Sequence, residues 1–91
     1  MEVIYTPQAV LDLNFWKKSG NKTIQKKIQQ LILAIMENPF DGIGKPEPLK
    51  YDLAGSWSRR INREHRIVYE VYEDDKIVIL EIQSLRGHYL K

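Results

Sequence analysis

The chain has 91 residues, 43% of them hydrophobic and 29% charged, with a formal net charge of +2. These ordinary values exclude disordered and fibrous classes, and the length predicts one small domain, residues 1–91, with any substrate site on its surface. The sequence has no cysteine, which excludes disulfides, thiolate metal sites and a cysteine nucleophile. It also has no run near the roughly 20 apolar residues of a membrane span and no secretory signal pattern. These features predict a cytoplasmic protein without a membrane partner.

The first half of the chain predicts a strand followed by a helical hairpin. Glu2 to Tyr5 is short and rich in β-branched and aromatic residues, and Thr6-Pro7 then caps and begins a helix that extends to Lys18. Its apolar residues recur near the helical period at Ala9, Val10, Leu13 and Trp16. Ser19-Gly20-Asn21 breaks this helix, and a second helix follows that ends at Asn38-Pro39. The second helix has a strong apolar stripe at Ile24, Ile28, Leu31, Ile32 and Ile35.

The second half predicts a loop followed by a small sheet. Phe40 to Gly55 is rich in Gly and Pro, with one brief extended segment around Pro48 to Lys50. Three strands are then expected over Trp57 to Asn62, Arg66 to Tyr72 and Lys76 to Leu85. The last two flank a turn at residues 73–75, so antiparallel pairing is expected.

Alternation along the middle strand predicts the layers of the fold. Ile67, Tyr69 and Val71 fall on one face, whereas Arg66 and Glu70 fall on the other. If the helical hairpin covers the apolar face, the result is a two-layer α+β domain. Arg66 would then lie on the face that the helices leave open.

One carboxylate stands out among many cations. Glu47 lies between Pro46 and Pro48, and the locked φ angles of the prolines restrict its backbone, so the side chain is presented in one place. Cations surround it in sequence at Lys45, Lys50, Arg59, Arg60, Arg63 and Arg66. Aromatic residues are interspersed at Trp57, Tyr69, Tyr72 and Tyr89. Cations that bind phosphates and aromatics that stack on unpaired bases are typical of an RNA-binding surface, although a solvated basic face is an equal alternative.

The same residues can supply RNA cleavage through the 2′-OH. This reaction needs a base, a cation that stabilises the phosphorane and an acid for the leaving 5′-oxygen. Glu47, Arg66 and His88 are the respective candidates, and neither a metal nor another cofactor is then required. The carboxylates at 73–75 lie in an expected turn and do not resemble a two-metal site.

Each assignment has a structural alternative. Glu47 can simply pair with Lys45 or Lys50, and Arg66 with Glu64 or Glu70. His65 is the alternative to His88 as the acid.

Several runs of the sequence resemble the YoeB/Txe branch of the RelE-like bacterial toxins. These runs are Lys45 to Lys50, Trp57 to Ile61, Glu64 to Arg66 with Val68-Tyr69, and His88-Tyr89. Asn38-Pro39-Phe40 and Gly42 extend the resemblance towards the N-terminus. By matching position, the resemblance implies that Glu47 is the general base, Arg66 the phosphate-stabilising residue and His88 the general acid. It further implies that Tyr89 orients or stacks on a base and that Lys50, Arg60 and Arg63 contact RNA.

The resemblance also implies a biological setting. The protein would be the toxin of a type II toxin–antitoxin pair that enters the ribosomal A site, beside 16S rRNA, and cleaves mRNA there. A cognate YefM/Axe-like antitoxin with a disordered acidic segment would neutralise it. A homodimer is also implied.

Two other functions remain open. A ParE-like inhibitor of DNA gyrase would share the hairpin-on-sheet architecture but would act by binding a protein. A non-catalytic RNA-binding module would keep the basic face but would not depend on Glu47 or His88.

Overall fold

The computed structural model describes residues 2–84, in which two helices pack on one five-stranded sheet. The helices are α1 (Pro7–Ser19) and α2 (Lys22–Glu37), and a short 3₁₀ helix covers Tyr51–Leu53. The strands are β1 (Glu2–Tyr5), β2 (Glu47–Pro48), β3 (Trp57–Arg60), β4 (His65–Tyr72) and β5 (Lys76–Ser84). This architecture confirms the predicted α+β class with a helical hairpin on one side of the sheet.

The strand order is β1-β5-β4-β3-β2. The expected antiparallel pairing of β3, β4 and β5 is confirmed, and β2 adds antiparallel to the outer edge of β3. At the other edge β1 runs parallel to β5, so the sheet is mixed rather than wholly antiparallel. This pairing joins segments more than 70 residues apart, which local sequence patterns do not encode.

Side-chain caps begin both helices of the hairpin. Thr6 Oγ1 accepts the N–H of Ala9 at the start of α1, and Asn21 Oδ1 accepts the N–H of Ile24 at the start of α2. Gly20 ends α1 with a φ of 75°, a left-handed conformation that glycine adopts without steric cost. Gly20 and Asn21 make the sharp reversal between the two helices.

A β-bulge at Leu80 connects α1 to the sheet. Val68 lies opposite Glu81 whereas Tyr69 lies opposite Ile79, so one residue of β5 is left over. The hydroxyl of Thr6 donates to the carbonyl of Leu80, and the N–H of Ile82 donates to the Asp12 carboxylate at 2.9 Å. Residues of α1 thus satisfy the backbone groups that the bulge frees.

The core lies between the hairpin and the inner face of the sheet. From α2 the predicted stripe is buried at Ile24, Ile28, Leu31 and Ile35. The sheet contributes Ile67, Tyr69, Ile77, Ile79 and Ile82. Val10 differs from prediction, because it is 45% exposed while Ala9, Leu13 and Trp16 face the core. None of the helices within residues 2–84 has the length and apolar character needed to cross a bilayer.

Candidate active site

The sheet register brings Glu47 and Arg66 to the same face. Glu47 lies opposite Ser58 on β3, and Ser58 lies opposite Val68 on β4. Directly opposed residues point to the same side of an antiparallel sheet, as do residues two apart on one strand. Arg66 therefore shares the face of Glu47, two strands or about 10 Å away across the sheet. This is the face that the helices leave open, as predicted.

Glu47 and Arg66 line a surface cleft of about 370 Å³ together with residues 48–53. The Glu47 side chain is exposed, whereas Arg66 is half-buried. The 3₁₀ helix forms one wall of the cleft, and its turn is closed by backbone bonds from Leu53 to Lys50 and from Ser56 to Leu53. The cleft thus combines two accessible carboxylates, Glu47 and Asp52, with the Arg66 guanidinium.

Backbone hydrogen bonds fix the position of Glu47 on both sides. Before it, the N–H of Arg60 donates to the carbonyl of Gly44 at 2.6 Å. After it, the N–H of Leu49 donates to the carbonyl of Ser56 at 2.9 Å. Because the neighbouring prolines cannot donate, these bonds and the short β2 pairing attach the segment to β3.

Arg66 is oriented by a neighbour on β5. Its Nε donates to Oε1 of Gln83 at 2.9 Å, and the two residues lie directly opposite each other in the sheet. A bond through Nε orients the guanidinium plane and does not use the two terminal amino groups. This arrangement suits bidentate contact with a phosphate in the cleft.

Arg59 does not belong to the RNA-binding set, and that prediction is wrong. Its side chain is 0% exposed and lies on the core face, because it stands opposite Ile67. Neighbouring residues of a strand point to opposite faces, so only one of Arg59 and Arg60 can reach the open face. This alternation was visible in the sequence and could have identified the buried arginine.

The buried Arg59 guanidinium instead holds the segment that leads from α2 to Glu47. It donates to the backbone carbonyls of Asn38, Asp41 and Ile43. Its Nε donates to the hydroxyl of Tyr69 at 3.2 Å, and that hydroxyl donates to the carbonyl of Pro39 at 2.6 Å. Burial raises the pKa of Tyr69, while the hydrogen bond and charge of Arg59 partly oppose this rise.

The other predicted cations remain accessible. Lys45, Lys50, Arg60 and Arg63 are all exposed. Lys50 lines the cleft, and Arg60 lies directly opposite Arg66 on the open face. Arg63 lies in the connection between β3 and β4.

Tyr51 is a cleft residue that the sequence analysis missed. Its side chain is 91% exposed, and its backbone has a φ of 60°, which is rare for a bulky residue. Such an aromatic ring at the rim of a cleft can stack on an unpaired base. No sequence pattern points to Tyr51, because its exposure depends on the turn that residues 50–53 adopt.

Of the other aromatic residues named from the sequence, Trp57 and Tyr69 pack inward, whereas Tyr72 is 48% exposed and its hydroxyl donates to Glu70. Trp57 contacts Phe40 with ring centroids 5.0 Å apart, and Tyr69 is buried. His65 packs edge-on against Trp16 at 4.8 Å, and its Nδ1 lies 3.2 Å from Oδ1 of Asn62. His65 therefore faces the helices and not the cleft.

The two C-terminal candidates, His88 and Tyr89, lie outside the described residues. Within residues 2–84, no three side chains of the His, Cys, Asp or Glu types come together as a metal site.

Sequence comparisons identify close relatives over almost the whole chain. A family model described as the YoeB-like toxin of bacterial type II toxin–antitoxin systems matches residues 5–89. Toxin YoeB of Synechocystis is 47% identical over 89 residues, which are 98% of this chain and 98% of the relative. Toxin YoeB of Escherichia coli K12 is 45% identical over 89 residues, which are 98% of this chain and all of the relative.

Solved structures agree with the sequence comparisons. A YoeB/ParE toxin from Agrobacterium tumefaciens superposes with a TM-score of 0.86 at 39% identity, covering 92% of this chain and 98% of that one. A YoeB-YefM complex from Staphylococcus aureus contains a chain that superposes with a TM-score of 0.81 at 42% identity, covering 91% of this chain and 94% of that one. Because a family model and full-length relatives agree in sequence, and solved structures agree in fold, the chain belongs to the YoeB family of toxins of bacterial type II toxin–antitoxin systems.

Proposed function

We propose that this toxin is an endoribonuclease that cleaves mRNA in the ribosomal A site and so stops translation. The observation that supports the proposal most is the position of Glu47 and Arg66 in one cleft on the open face of the sheet. An accessible carboxylate and a guanidinium across a cleft of this size suit a base and a phosphate ligand on either side of one nucleotide.

In the proposed reaction, Glu47 takes the proton from a ribose 2′-OH. The 2′-oxygen then attacks the adjacent phosphorus, and the bond from phosphorus to the 5′-oxygen breaks. Arg66 stabilises the charge on the phosphorane, and His88 donates a proton to the departing 5′-oxygen. The products are a 2′,3′-cyclic phosphate and a 5′-hydroxyl, so the atoms and protons balance without a metal or another cofactor.

Substrate binding would use the exposed cations and aromatic residues around the cleft. Lys45, Lys50, Arg60 and Arg63 would contact phosphates, which sets affinity but not sequence. Tyr51 and Tyr89 would stack on bases, an interaction worth about 1–3 kcal/mol each. Replacing Tyr51 by Ala should then raise KM for ribosome-bound message, whereas replacement by Trp should not; equal effects of the two would refute stacking.

The relatives suggest the protein partners. A Staphylococcus aureus YoeB was solved with YefM and also as a dimer. By this likeness the chain would form a homodimer and bind a YefM/Axe-like antitoxin. An acidic antitoxin segment would neutralise the basic residues beside the cleft. The site of action would be the cytoplasm, where 16S rRNA surrounds the A site.

Primer extension on a defined message during in-vitro translation tests this function. Wild-type protein should produce 5′ ends within the A-site codon, and Glu47→Ala and His88→Ala should lose most of this signal. Glu64→Ala is the matched control, because Glu64 is also an exposed carboxylate but lies outside the cleft. Growth arrest with intact message, unaffected by Glu47→Ala, would contradict the nuclease and favour a protein target such as gyrase.

A further inference from the structure

The cleft contains a second carboxylate that the proposed reaction does not use. Asp52 lies in the 3₁₀ helix, is exposed and lines the cleft with Glu47, Lys50 and Arg66. To the other residues of the described range, 2–84, its carboxylate makes no hydrogen bond or ion pair. A carboxylate repels phosphate, so a surface that bound only the RNA backbone would bind it more tightly without Asp52. The carboxylate instead suits a ligand group that donates hydrogen bonds.

The lining of the cleft suits a base beside the phosphate. Its volume of about 370 Å³ lies within the range of pockets that hold small molecules, about 300–1,000 Å³, so there is room for more than a phosphate. Apolar surface comes from Pro48, Leu49 and Leu53, and the exposed ring of Tyr51 directly precedes Asp52. Apolar and aromatic side chains contact the face of an unpaired base, which leaves the edge of the base for a polar group.

The backbone holds Tyr51 and Asp52 in one tight turn. The N–H of Leu53 donates to the carbonyl of Lys50 at 3.2 Å, and the N–H of Ala54 donates to the carbonyl of Tyr51 at 3.0 Å. Tyr51 also has a left-handed backbone, with a φ of 60°. Bulky residues rarely adopt this conformation, and such strained positions concentrate at binding and active sites. The ring and the carboxylate are therefore presented together before a ligand arrives.

We propose that Asp52 recognises a guanine base of the cleaved codon while Tyr51 stacks on the same base. The inference rests on the proposed nuclease function, because the base belongs to the message that the cleft would cut. An ionised carboxylate only accepts hydrogen bonds, through two neighbouring oxygens. The Watson–Crick edge of guanine has two neighbouring donors, N1–H and the N2 amino group. Guanine and Asp52 can therefore form a bidentate pair.

The other three bases each place an acceptor against Asp52. Adenine and cytosine have one amino group beside a ring nitrogen that accepts, and uracil has one N–H between two carbonyl oxygens. Such an acceptor would face a carboxylate oxygen with no proton between them, so one hydrogen bond is unmade and repulsion is added. A good bidentate pair discriminates against a wrong base by about 5–150-fold. Asp52 thus sets base preference, while Glu47 and Arg66 act on the ribose and the phosphate.

Cleavage of ribosome-bound messages that differ only in the A-site codon tests the proposal. Each codon position in turn would carry guanine, inosine or adenine. At one position the wild-type protein should cleave the guanine message with a kcat/KM about 5–150-fold higher than the adenine message. Inosine lacks only the N2 amino group of guanine, so its kcat/KM should lie between the two. Asp52→Ala should cleave the guanine and inosine messages equally well.

Asp52→Asn gives the sharpest readout, because an amide has one acceptor and one donor. This pair matches adenine and no longer matches guanine, so the preference between the two purines should reverse. Glu64→Gln is the matched control: it removes the charge of an exposed carboxylate outside the cleft and should keep the guanine preference. A structural or general electrostatic role of Asp52 would change the cleavage of every message by the same factor, and that result would overturn the proposal.

Equilibrium binding separates this proposal from the nuclease function. Protein with Glu47→Gln, which prevents cleavage, would be titrated with ribosomes programmed with the guanine or the adenine codon. Tighter binding to guanine that Asp52→Asn reverses, together with a wild-type protein that cuts no message, would uphold the base contact and refute only the nuclease. Cleavage that needs Glu47 but proceeds equally at all codons would leave the nuclease intact and overturn the role of Asp52. Because Asp52 is exposed, its variants should fold, which urea unfolding checks.

Discussion

Arg66 is oriented by a hydrogen bond and lines the cleft. Gln83 accepts from its Nε at 2.9 Å, and the side chain lines the cleft that also contains Glu47. Donors that are oriented before the substrate arrives stabilise a developing charge without further reorganisation, which is the main advantage of such a site over water. The proposed role of Arg66 therefore depends on both its charge and its orientation.

Replacing Arg66 by Ala should lower the single-turnover cleavage rate on ribosome-bound message by about 10²–10³-fold. Arg66→Lys should recover only part of the rate, because lysine keeps the charge but cannot make bidentate contact. Gln83→Ala should have a smaller effect than either, since it removes the orienting acceptor and leaves the guanidinium. A cleavage rate in Arg66→Ala equal to that of wild type would remove Arg66 from the mechanism.

The segment between α2 and β2 depends on close contact with β3. A Cβ added at Gly44 would lie 2.7 Å from Cδ2 of Leu31 and 3.1 Å from the carbonyl oxygen of Arg60. This crowding occurs three residues before Glu47, where the carbonyl of Gly44 also accepts from Arg60. The absence of a side chain at Gly44 therefore allows β2 to reach its place.

Gly44→Ala and Gly20→Ala should differ in their cost to stability. Both glycines have positive φ, 83° and 75°, so alanine pays a similar backbone cost of about 1–2 kcal/mol at either position. A Cβ at Gly20 would meet nothing within 4 Å. In urea unfolding, Gly44→Ala should therefore lower the free energy of unfolding by about 1–3 kcal/mol more than Gly20→Ala does. Gly44→Ala should also lower the rate of cleavage. Equal free energies of unfolding for the two variants would contradict the crowding.

The Arg59–Tyr69 pair should give stability a pH dependence. Tyr69→Phe leaves Nε of Arg59 without its acceptor, at a cost of about 1–3 kcal/mol. Burial raises the pKa of the Tyr69 hydroxyl above 10.0, its value in the unfolded chain. The hydroxyl therefore stabilises the folded state fully below pH 10.0, and this stabilisation falls as the pH rises towards the pKa of the folded state. The stability difference between wild type and Tyr69→Phe should therefore narrow above pH 10.0. Chemical unfolding on both sides of that pH measures it, and a constant difference would contradict the prediction.

Elements with a strong local signal could be predicted from the sequence. The apolar stripe of α2 and its caps defined that helix, and alternation along β4 correctly assigned Ile67 to the core and Arg66 to the open face. The locked backbone around Glu47 likewise identified a presented carboxylate. In each case neighbouring residues along the chain contain the whole pattern.

Elements that depend on distant contacts could not be predicted. The parallel pairing of β1 with β5 joins segments far apart in the chain, and the bulge at Leu80 bonds to the distant Thr6. Tyr51 became a cleft residue only through its turn. The prediction for Arg59 was wrong for a different reason. It was based on the number of cations in the segment and not on the alternation of side chains along β3, which places Arg59 on the core face.

At the scale of the whole molecule, the two faces and the two ends of the sheet have different roles. The helices cover one face and provide the core, while the other face holds the cleft. Arg60, Arg63 and Arg66 lie where β4 begins, beside Glu64, and the turn that follows its end contains three carboxylates at residues 73–75. An RNA-cleaving toxin with this layout would present its cleft and its positive end to the same polyanion.

The central claim is that the cleft activates the ribose 2′-OH of the message. The most direct measurement is single-turnover cleavage of ribosome-bound message that carries a 2′-deoxy nucleotide at the mapped cut, beside the all-ribose message. Cleavage of the ribose message to a 2′,3′-cyclic phosphate, with no cut at the 2′-deoxy position, is the predicted result. Cleavage of both messages at similar rates would contradict the account, because the nucleophile would not be the 2′-OH that Glu47 is proposed to activate.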